Sequence, residues 1–320
     1  MHGRFVRRSL DLRNWEAANR LAREWEVNGP ENTVSMRDAI SRYLKDAEAR
    51  KLKEGSLRKY RQSVKDLEMF GSRPLRSITV EDLRLVRESW AISGTTMLKR
   101  LEMIKAFFRF CVDSGWLQSN PAKAIKPPVV KRSATLPFSD DEFKKILDAV
   151  EEYPQRHPQS PPEAKKKLRA FIVLMRYSGL RISDACTLRK DRVKDGKLFV
   201  YPHKTTDIPV WMPLPKLVLH ALAECESRSE FYFYTGNGKV KTWTTEWEER
   251  FKKVCVIAGL PKGHSHMLRD SFAVDLLSKG VPLETVAVLL GNSLKVAERH
   301  YAPWVKSRQI SLEAAVAKIW

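Results

Sequence analysis

The chain has 320 residues, 43% of them hydrophobic, which is material for packed cores and, by length alone, for about two domains. Lysine and arginine number 58 against 38 aspartates and glutamates, a net charge of +20, so a polyanion is the expected partner and nucleic acid the first candidate. No apolar run reaches the roughly 18 residues of a membrane span, and no basic helix presents one wholly apolar face, so no membrane partner is expected.

Residues 1–31 read as a basic arm or the remnant of an upstream domain. Arg4, Arg7 and Arg8 precede an amphipathic stretch from Trp15 to Trp25, which Asn28-Gly29-Pro30 breaks. No apolar segment follows the arginines, so no secretory leader is expected. Asp11, Glu16, Glu24 and Glu26 are too many acids for a transit peptide. The four cysteines, Cys111, Cys186, Cys225 and Cys255, form no CxxC pair and read as free thiols of a reducing cytoplasm.

Residues 32–124 read as a small helical bundle of four helices. Met36, Ala39, Ile40, Tyr43 and Leu44 recur at helical spacing; Gly55-Ser56 opens a second helix bearing Leu57, Tyr60, Val64 and Leu67. Thr79 with Glu81-Asp82 caps a third, Leu83 to Trp90, and Thr95 to Trp116 is the longest, with Met97, Leu101, Ile104, Phe107, Phe108 and Cys111 on one face. Lys51, Lys53, Arg58, Lys59 and Arg61 cluster at the first junction, either as a solvated face or as phosphate contacts. The boundary lies in the proline-broken stretch 118–134, with 125–134 as a linker whose Lys126, Lys131 and Arg132 suit a phosphate backbone.

Residues 135–320 form the second domain, helical with a small antiparallel sheet. Ser139 caps a helix through Val150; Pro154 to Pro162 is a loop; Leu168 to Ser178 is an apolar helix stopped by Gly179. Asp195-Gly196 is a hairpin signal before the strand Leu198 to Tyr201. A turn, His203 to Asp207, leads to a second strand, Ile208 to Leu214, and after Leu217 the pattern is helical to the end, broken at Gly236, Gly238, Gly259, Gly263, Gly280 and Gly291.

Cleaving a phosphodiester without a metal requires fixed cations for the charge that builds on the non-bridging oxygens, a nucleophile, and a proton donor to the leaving oxygen. Guanidiniums suit the first task because they stay charged and fork onto two oxygens. The second domain holds Ser178-Gly179-Leu180-Arg181-Ile182-Ser183-Asp184, then His266-Met267-Leu268-Arg269, then Leu289-Leu290-Gly291-Asn292-Ser293, then Tyr301 nine residues after Asn292. Taken singly, each has a plainer reading: Arg181 a helix-capping surface arginine, Tyr301 a buried aromatic, Lys204 a solvated turn lysine, and His264 with His266 a zinc pair lacking further ligands at the right spacing.

In order and spacing together, these motifs resemble the tyrosine recombinases of the phage-integrase family, over roughly residues 34–315. The family carries Gly-Leu-Arg-Ile, His-x-x-Arg, Leu-Gly-His and a tyrosine nine residues beyond that histidine. The resemblance implies that Arg181 and Arg269 bind the scissile phosphate, that Asp184 orients the arginine and the histidine, and that His266 hydrogen-bonds the phosphate or helps deprotonate the nucleophile. It further implies that Lys204 is the general acid for the leaving 5′-hydroxyl and that Tyr301 forms a 3′-phosphotyrosine. It implies a C-shaped two-domain clamp around double-stranded DNA bearing specific recombination sites, in the cytoplasm of a bacterium or archaeon and associated with its nucleoid. The enzyme would be a monomer when free and a homotetramer on DNA, and would use no metal, cofactor or ATP. The segment Ser311 to Trp320 would be exchanged between neighbours, or would pack in cis.

The chain departs from the family at two positions. Asp270 stands where the family often has histidine, and Asn292 replaces the histidine of Leu-Gly-His. Asparagine can donate a hydrogen bond to a phosphate oxygen but cannot titrate, and it can also cap a helix beside Ser293. Three rival readings stand beside a recombinase: a non-enzymatic DNA-binding regulator on the same scaffold, to which Asp270 and Asn292 point, a type IB topoisomerase, and an unrelated metal nuclease that EDTA would inhibit. Walker, HExxH and GxSxG motifs are absent, as is a close acidic cluster for two magnesium ions, which a metal nuclease would need.

Overall fold

The computed structural model describes residues 14–28, 34–130, 136–153, 163–200, 210–225, 227, 229–305, 310, 313, 314, 316, 317 and 319. It divides into two compact units, Met1–Arg132 and Ser133–Trp320.

The described residues of the first unit carry five α-helices, α1 (Trp15–Asn28), α2 (Met36–Ala49), α3 (Glu54–Lys65), α4 (Val80–Glu88) and α5 (Gly94–Asp113), and one isolated bridge, Ser35↔Pro74. Helices α1, α2 and α4 start at side-chain caps. The Asn14 side chain accepts from the amides of Glu16 at 2.9 Å and Ala17 at 3.2 Å. Ser35 accepts from the Asp38 amide at 3.1 Å. Thr79 and Asp82 close a reciprocal capping box, so α4 begins at Val80, earlier than its apolar periodicity suggests. Burial alone would raise the Asp82 pKa; the Arg73 guanidinium, at 2.8 and 2.9 Å, and Thr79 hold it below the ordinary carboxylate value.

The core of this unit is built from the spacing read in α2 and α5. Met36, Ala39, Ile40 and Tyr43 pack with Leu101, Ile104, Phe107, Phe108 and Cys111. Each large side chain withdrawn from water contributes roughly 1.5–3 kcal/mol. Ile125, the first residue of the expected linker, is buried in this core, and its carbonyl accepts from Lys105 Nζ at 2.9 Å.

The second unit contains α6 (Asp140–Glu152), α7 (Glu163–Ser178), α8 (Ile182–Cys186), β1 (Val193–Lys194), β2 (Lys197–Val200), β3 (Val210–Pro213), α9 (Lys216–Ala223), α10 (Val240–Ile257), α11 (Ser265–Ser278), α12 (Leu283–Leu290) and α13 (Leu294–Tyr301). Helix α7 is its axis. Seven of its residues, Leu168 and Ala170 through Met175, are buried on every side, and it packs against α9 and α11. Phe171 stacks on Trp247 of α10 with centroids 4.4 Å apart, and the Trp247 indole N–H donates to the Phe233 carbonyl at 3.1 Å.

The sheet is antiparallel in the order β1-β2-β3. The two-residue strand β1 was not anticipated, because two residues carry no periodicity. It is set by the turn between Lys194 and Lys197, where Asp195 and Gly196 both take positive φ, 50° and 72°, as a type I′ turn requires. Strands β2 and β3 pair from Lys197↔Pro213 to Val200↔Val210, with Phe199 and Trp211 in contact at 4.4 Å. The break expected at Gly236 and Gly238 is wider than those glycines suggest, since α9 ends at Ala223 and α10 begins at Val240. There Phe231 forms a bridge with Arg189, and Tyr232 donates its amide to the Leu188 carbonyl at 3.1 Å.

Candidate active site

Four segments far apart in sequence meet at one place in the second unit. The first begins where α7 ends. Gly179 takes φ +61°, and a Cβ there would lie 2.4 Å from Phe272 Cδ1 and 2.9 Å from Leu290 Cδ2, so only glycine fits this turn. The turn delivers Arg181 to the N-cap of α8. Its side chain makes no capping bond; Nη2 donates to the Gly291 carbonyl at 3.1 Å and to Asn292 Oδ1 at 3.0 Å.

The second segment is α11, whose start is fixed by Glu248 accepting from the Ser265 hydroxyl and, at 3.4 Å, the Ser265 amide. Residues Leu268 through Phe272 are all buried, so the helix carries Arg269 and Asp270 into the interior. Arg269 is 3% exposed. Its guanidinium donates to the Gly179 carbonyl, to the Leu290 carbonyl at 2.6 Å and to Asn292 Oδ1 at 3.3 Å.

The third segment is the end of α12. Gly291 is left-handed, φ 56° and ψ 46°, and the Asn292 amide closes back on the Ala287 carbonyl at 2.9 Å. The Asn292 side chain is not a cap for α13, contrary to one sequence expectation: Ser293 occupies that N-cap position, without a side-chain cap bond. Its Oδ1 instead accepts from both guanidiniums.

The electrostatic logic follows from the helix ends. Carbonyls past the last turn of a helix have no intrahelical donor and carry the negative pole of its dipole. Those of Gly179, after α7, and of Leu290 and Gly291, at the end of α12, all face arginines. They offset the mutual repulsion of two cations drawn together. Burial, and then the Arg181 charge, still push the Arg269 pKa down to about 10, against the pull of Tyr301, Asp184 and Asp270. Arg269 therefore stays charged at neutral pH.

The fourth segment is α13, which ends at Tyr301, buried at 2% exposure. The phenol hydroxyl donates to Asp270 Oδ1 at 2.7 Å. Burial and the Asp270 carboxylate raise the Tyr301 pKa, while Arg269 and Arg181 act to lower it. His266 lies one turn before Asp270 with its side chain in solvent, Nε2 3.8 Å from Asp270 Oδ1. Asp184 accepts from Ser183 Oγ at 3.2 Å and is within electrostatic reach of Arg269.

Arg181, Asp184, His266, Arg269, Asn292 and Tyr301 thus form one constellation. Sequence reasoning missed Asp270 as the phenol's partner, though its place four residues after His266 and next to Arg269 was a usable signal. Lys204, in the connection between β2 and β3, lies outside the described residues, as do Lys131 and Arg132. In the first unit, Lys51, Lys53, Arg58, Lys59 and Lys126 are exposed. Arg61 is exposed too, but it pairs with Glu48 at 3.1 Å and Glu54 at 2.9 Å, which compensates part of its charge. Among the described residues, no group of three His, Cys, Asp or Glu is placed to hold a metal ion, and no helix is long and apolar enough to cross a membrane.

The model of the phage integrase family matches residues 138–304, more than half of the chain and a span that encloses all four segments. A tyrosine recombinase of Thermosipho africanus is 26% identical over 252 residues, 73% of this chain and 83% of that protein. Tyrosine recombinase XerC of Alcanivorax borkumensis is 27% identical over 246 residues, 73% of this chain and 78% of that protein. Among solved structures, a lambda integrase tetramer bound to a Holliday junction has the same fold, with a TM-score of 0.68 at 20% identity, covering 84% of this chain and 81% of that one.

Proposed function

The chain belongs to the phage integrase family, the site-specific tyrosine recombinases, and on that premise we propose that it cuts and rejoins double-stranded DNA through a 3′-phosphotyrosine on Tyr301. The observation that carries the reading is the convergence of Arg181 and Arg269 on the single Oδ1 of Asn292, in electrostatic contact with the Tyr301 hydroxyl.

A scissile phosphate docked at this place meets two guanidiniums already held by carbonyls and Asn292. Preorganised cations of this kind stabilise the charge that develops on the non-bridging oxygens without reorganising during the reaction. With Oδ1 turned to the arginines, the Asn292 amide nitrogen is the group left to donate to the phosphate. Attack by Tyr301 transfers the phosphoryl group to the phenol oxygen, and Lys204 protonates the departing 5′-oxygen. The covalent link conserves the phosphodiester, so a second 5′-hydroxyl reverses the step without ATP, cofactor or metal. The first unit and the basic segment around Lys126, Lys131 and Arg132 supply phosphate contacts whose strength falls steeply with salt. A tetramer on paired sites, as lambda integrase forms on a Holliday junction, completes the proposal.

The test is a nicked duplex that loses its 5′-hydroxyl fragment on cleavage. Wild-type protein accumulates an adduct stable to detergent and Tyr301→Phe accumulates none. Sequence-specific binding without any adduct would favour a regulator. Relaxation of supercoiled plasmid by monomer, without a preferred site, would favour a topoisomerase.

A further inference from the structure

The phenol that must lose a proton is bonded to a carboxylate that neither the motif pattern nor the phosphate site requires. Tyr301 Oη donates to Asp270 Oδ1 at 2.7 Å, both side chains are buried, and they come from helices α13 and α11. A buried acid beside a nucleophile serves either as a structural acceptor or as a base. The surroundings favour a base. Asp270 is faced by Tyr301 from α13 and by His266 and Arg269 of its own helix, with Arg181 and Asp184 next to Arg269. Two fixed cations stabilise the phenolate that forms, and the His266 imidazole, 3.8 Å from Asp270, is too far to take the carboxylate's hydrogen-bonding site from the phenol.

We propose that Asp270 is a catalytic residue, the general base that accepts the Tyr301 proton during cleavage and returns it during rejoining; this rests on Tyr301 being the nucleophile. As Oη bonds to phosphorus, the O–H electron pair stays on Oη and the proton moves to Asp270 Oδ1. The bond from phosphorus to the 5′-oxygen breaks with its pair on that oxygen, which takes its proton from the acid assigned to Lys204. Rejoining runs each transfer backwards.

The experiment is single-turnover cleavage of the nicked duplex by wild-type protein, Asp270→Asn, Asp270→His and Tyr301→Phe between pH 6 and pH 9.5, with DNA affinity and thermal unfolding measured in parallel. Asparagine can accept the phenol's hydrogen bond but cannot take its proton. Asp270→Asn is therefore expected to bind DNA as wild type does and to cleave roughly a hundredfold or more slowly. Its rate should climb about tenfold per pH unit where the wild-type rate is flat, because it waits for free phenolate. Asp270→His, which restores a titratable acceptor, should stay within about tenfold of wild type above pH 7 and lose activity below the imidazole pKa of about 6.5. An Asp270→Asn protein as fast as wild type, or slower with an equally flat profile, overturns the proposal. If Asp270→Asn fails to fold, the Asp270→His profile decides: an inflection near the imidazole range supports the base, and a wild-type profile overturns it. Absence of a Tyr301-dependent adduct in wild type instead sinks the recombinase reading, and this proposal with it.

Discussion

Substituting Gly179 by alanine perturbs both arginines at once. Gly179 sits at φ +61°, where a side chain costs about 1–2 kcal/mol. The added Cβ would meet Phe272 Cδ1 at 2.4 Å, Phe272 Cε1 at 3.0 Å and Leu290 Cδ2 at 2.9 Å. Phe272 and Leu290 are 7% and 1% exposed, so neither can swing into solvent, and overpacking of this kind costs about 1–3 kcal/mol more. The reduced freedom of the unfolded alanine chain offsets under about 1 kcal/mol. A net loss of about 1–5 kcal/mol follows, which for a domain of this size lowers Tm by roughly 2–20 °C. Gly259 is the control: its φ is +74° with nothing within 4 Å, so Gly259→Ala carries only the backbone part. The function should suffer beyond the stability loss, because the Gly179 carbonyl accepts from Arg269 and Arg181 follows two residues on. The assay is thermal unfolding by circular dichroism, with single-turnover cleavage read well below Tm. Gly179→Ala melting no lower than Gly259→Ala, or cleaving at the wild-type rate, would refute the close-packed turn as the brace of the site.

Three further outcomes follow. Arg181→Ala and Arg269→Ala should each slow single-turnover cleavage by roughly a hundredfold or more while the nicked duplex is still bound, and a loss under about threefold for either would remove it from the phosphate site. Asn292→Asp places a carboxylate between two guanidiniums, so its folded pKa falls below the ordinary value; the variant gains stability that is full above about pH 4 and lost in acid, yet cleaves more slowly because the carboxylate competes with the phosphate. Urea midpoints against pH with unchanged cleavage would contradict that competition. The Tyr301 pKa is raised on folding, so its contribution to stability is complete below about pH 10, the unfolded value, and is lost as pH rises through the folded one. The alkaline fall in the urea midpoint should be shallower in Tyr301→Phe, and identical curves would place the phenol in water.

Much of the architecture is legible because burial imposes periodicity. Met36, Ala39, Ile40 and Tyr43 on α2, and Leu101, Ile104, Phe107, Phe108 and Cys111 on α5, are apolar at helical spacing and buried as a set. The order of the chemical groups is legible too, since it lies in short motifs. What joins them is not. Arg269 reaches a carbonyl 90 residues away and Arg181 one 110 residues away, and such contacts leave no local trace beyond the glycines that make room for them. Asn292 illustrates the limit: its side chain can cap a helix or take a donor, and only the proximity of two guanidiniums decides which. Asp270 could be seen as a departure from the family pattern, but its bond to Tyr301 depends on how α11 and α13 pack.

The most direct test of the central claim is to digest the covalent complex formed on the nicked duplex and sequence the DNA-linked peptide by mass spectrometry. A 3′-phosphonucleotide on Tyr301 is the predicted result, abolished by Arg181→Ala together with Arg269→Ala. A nucleotide attached to any other residue would contradict the account.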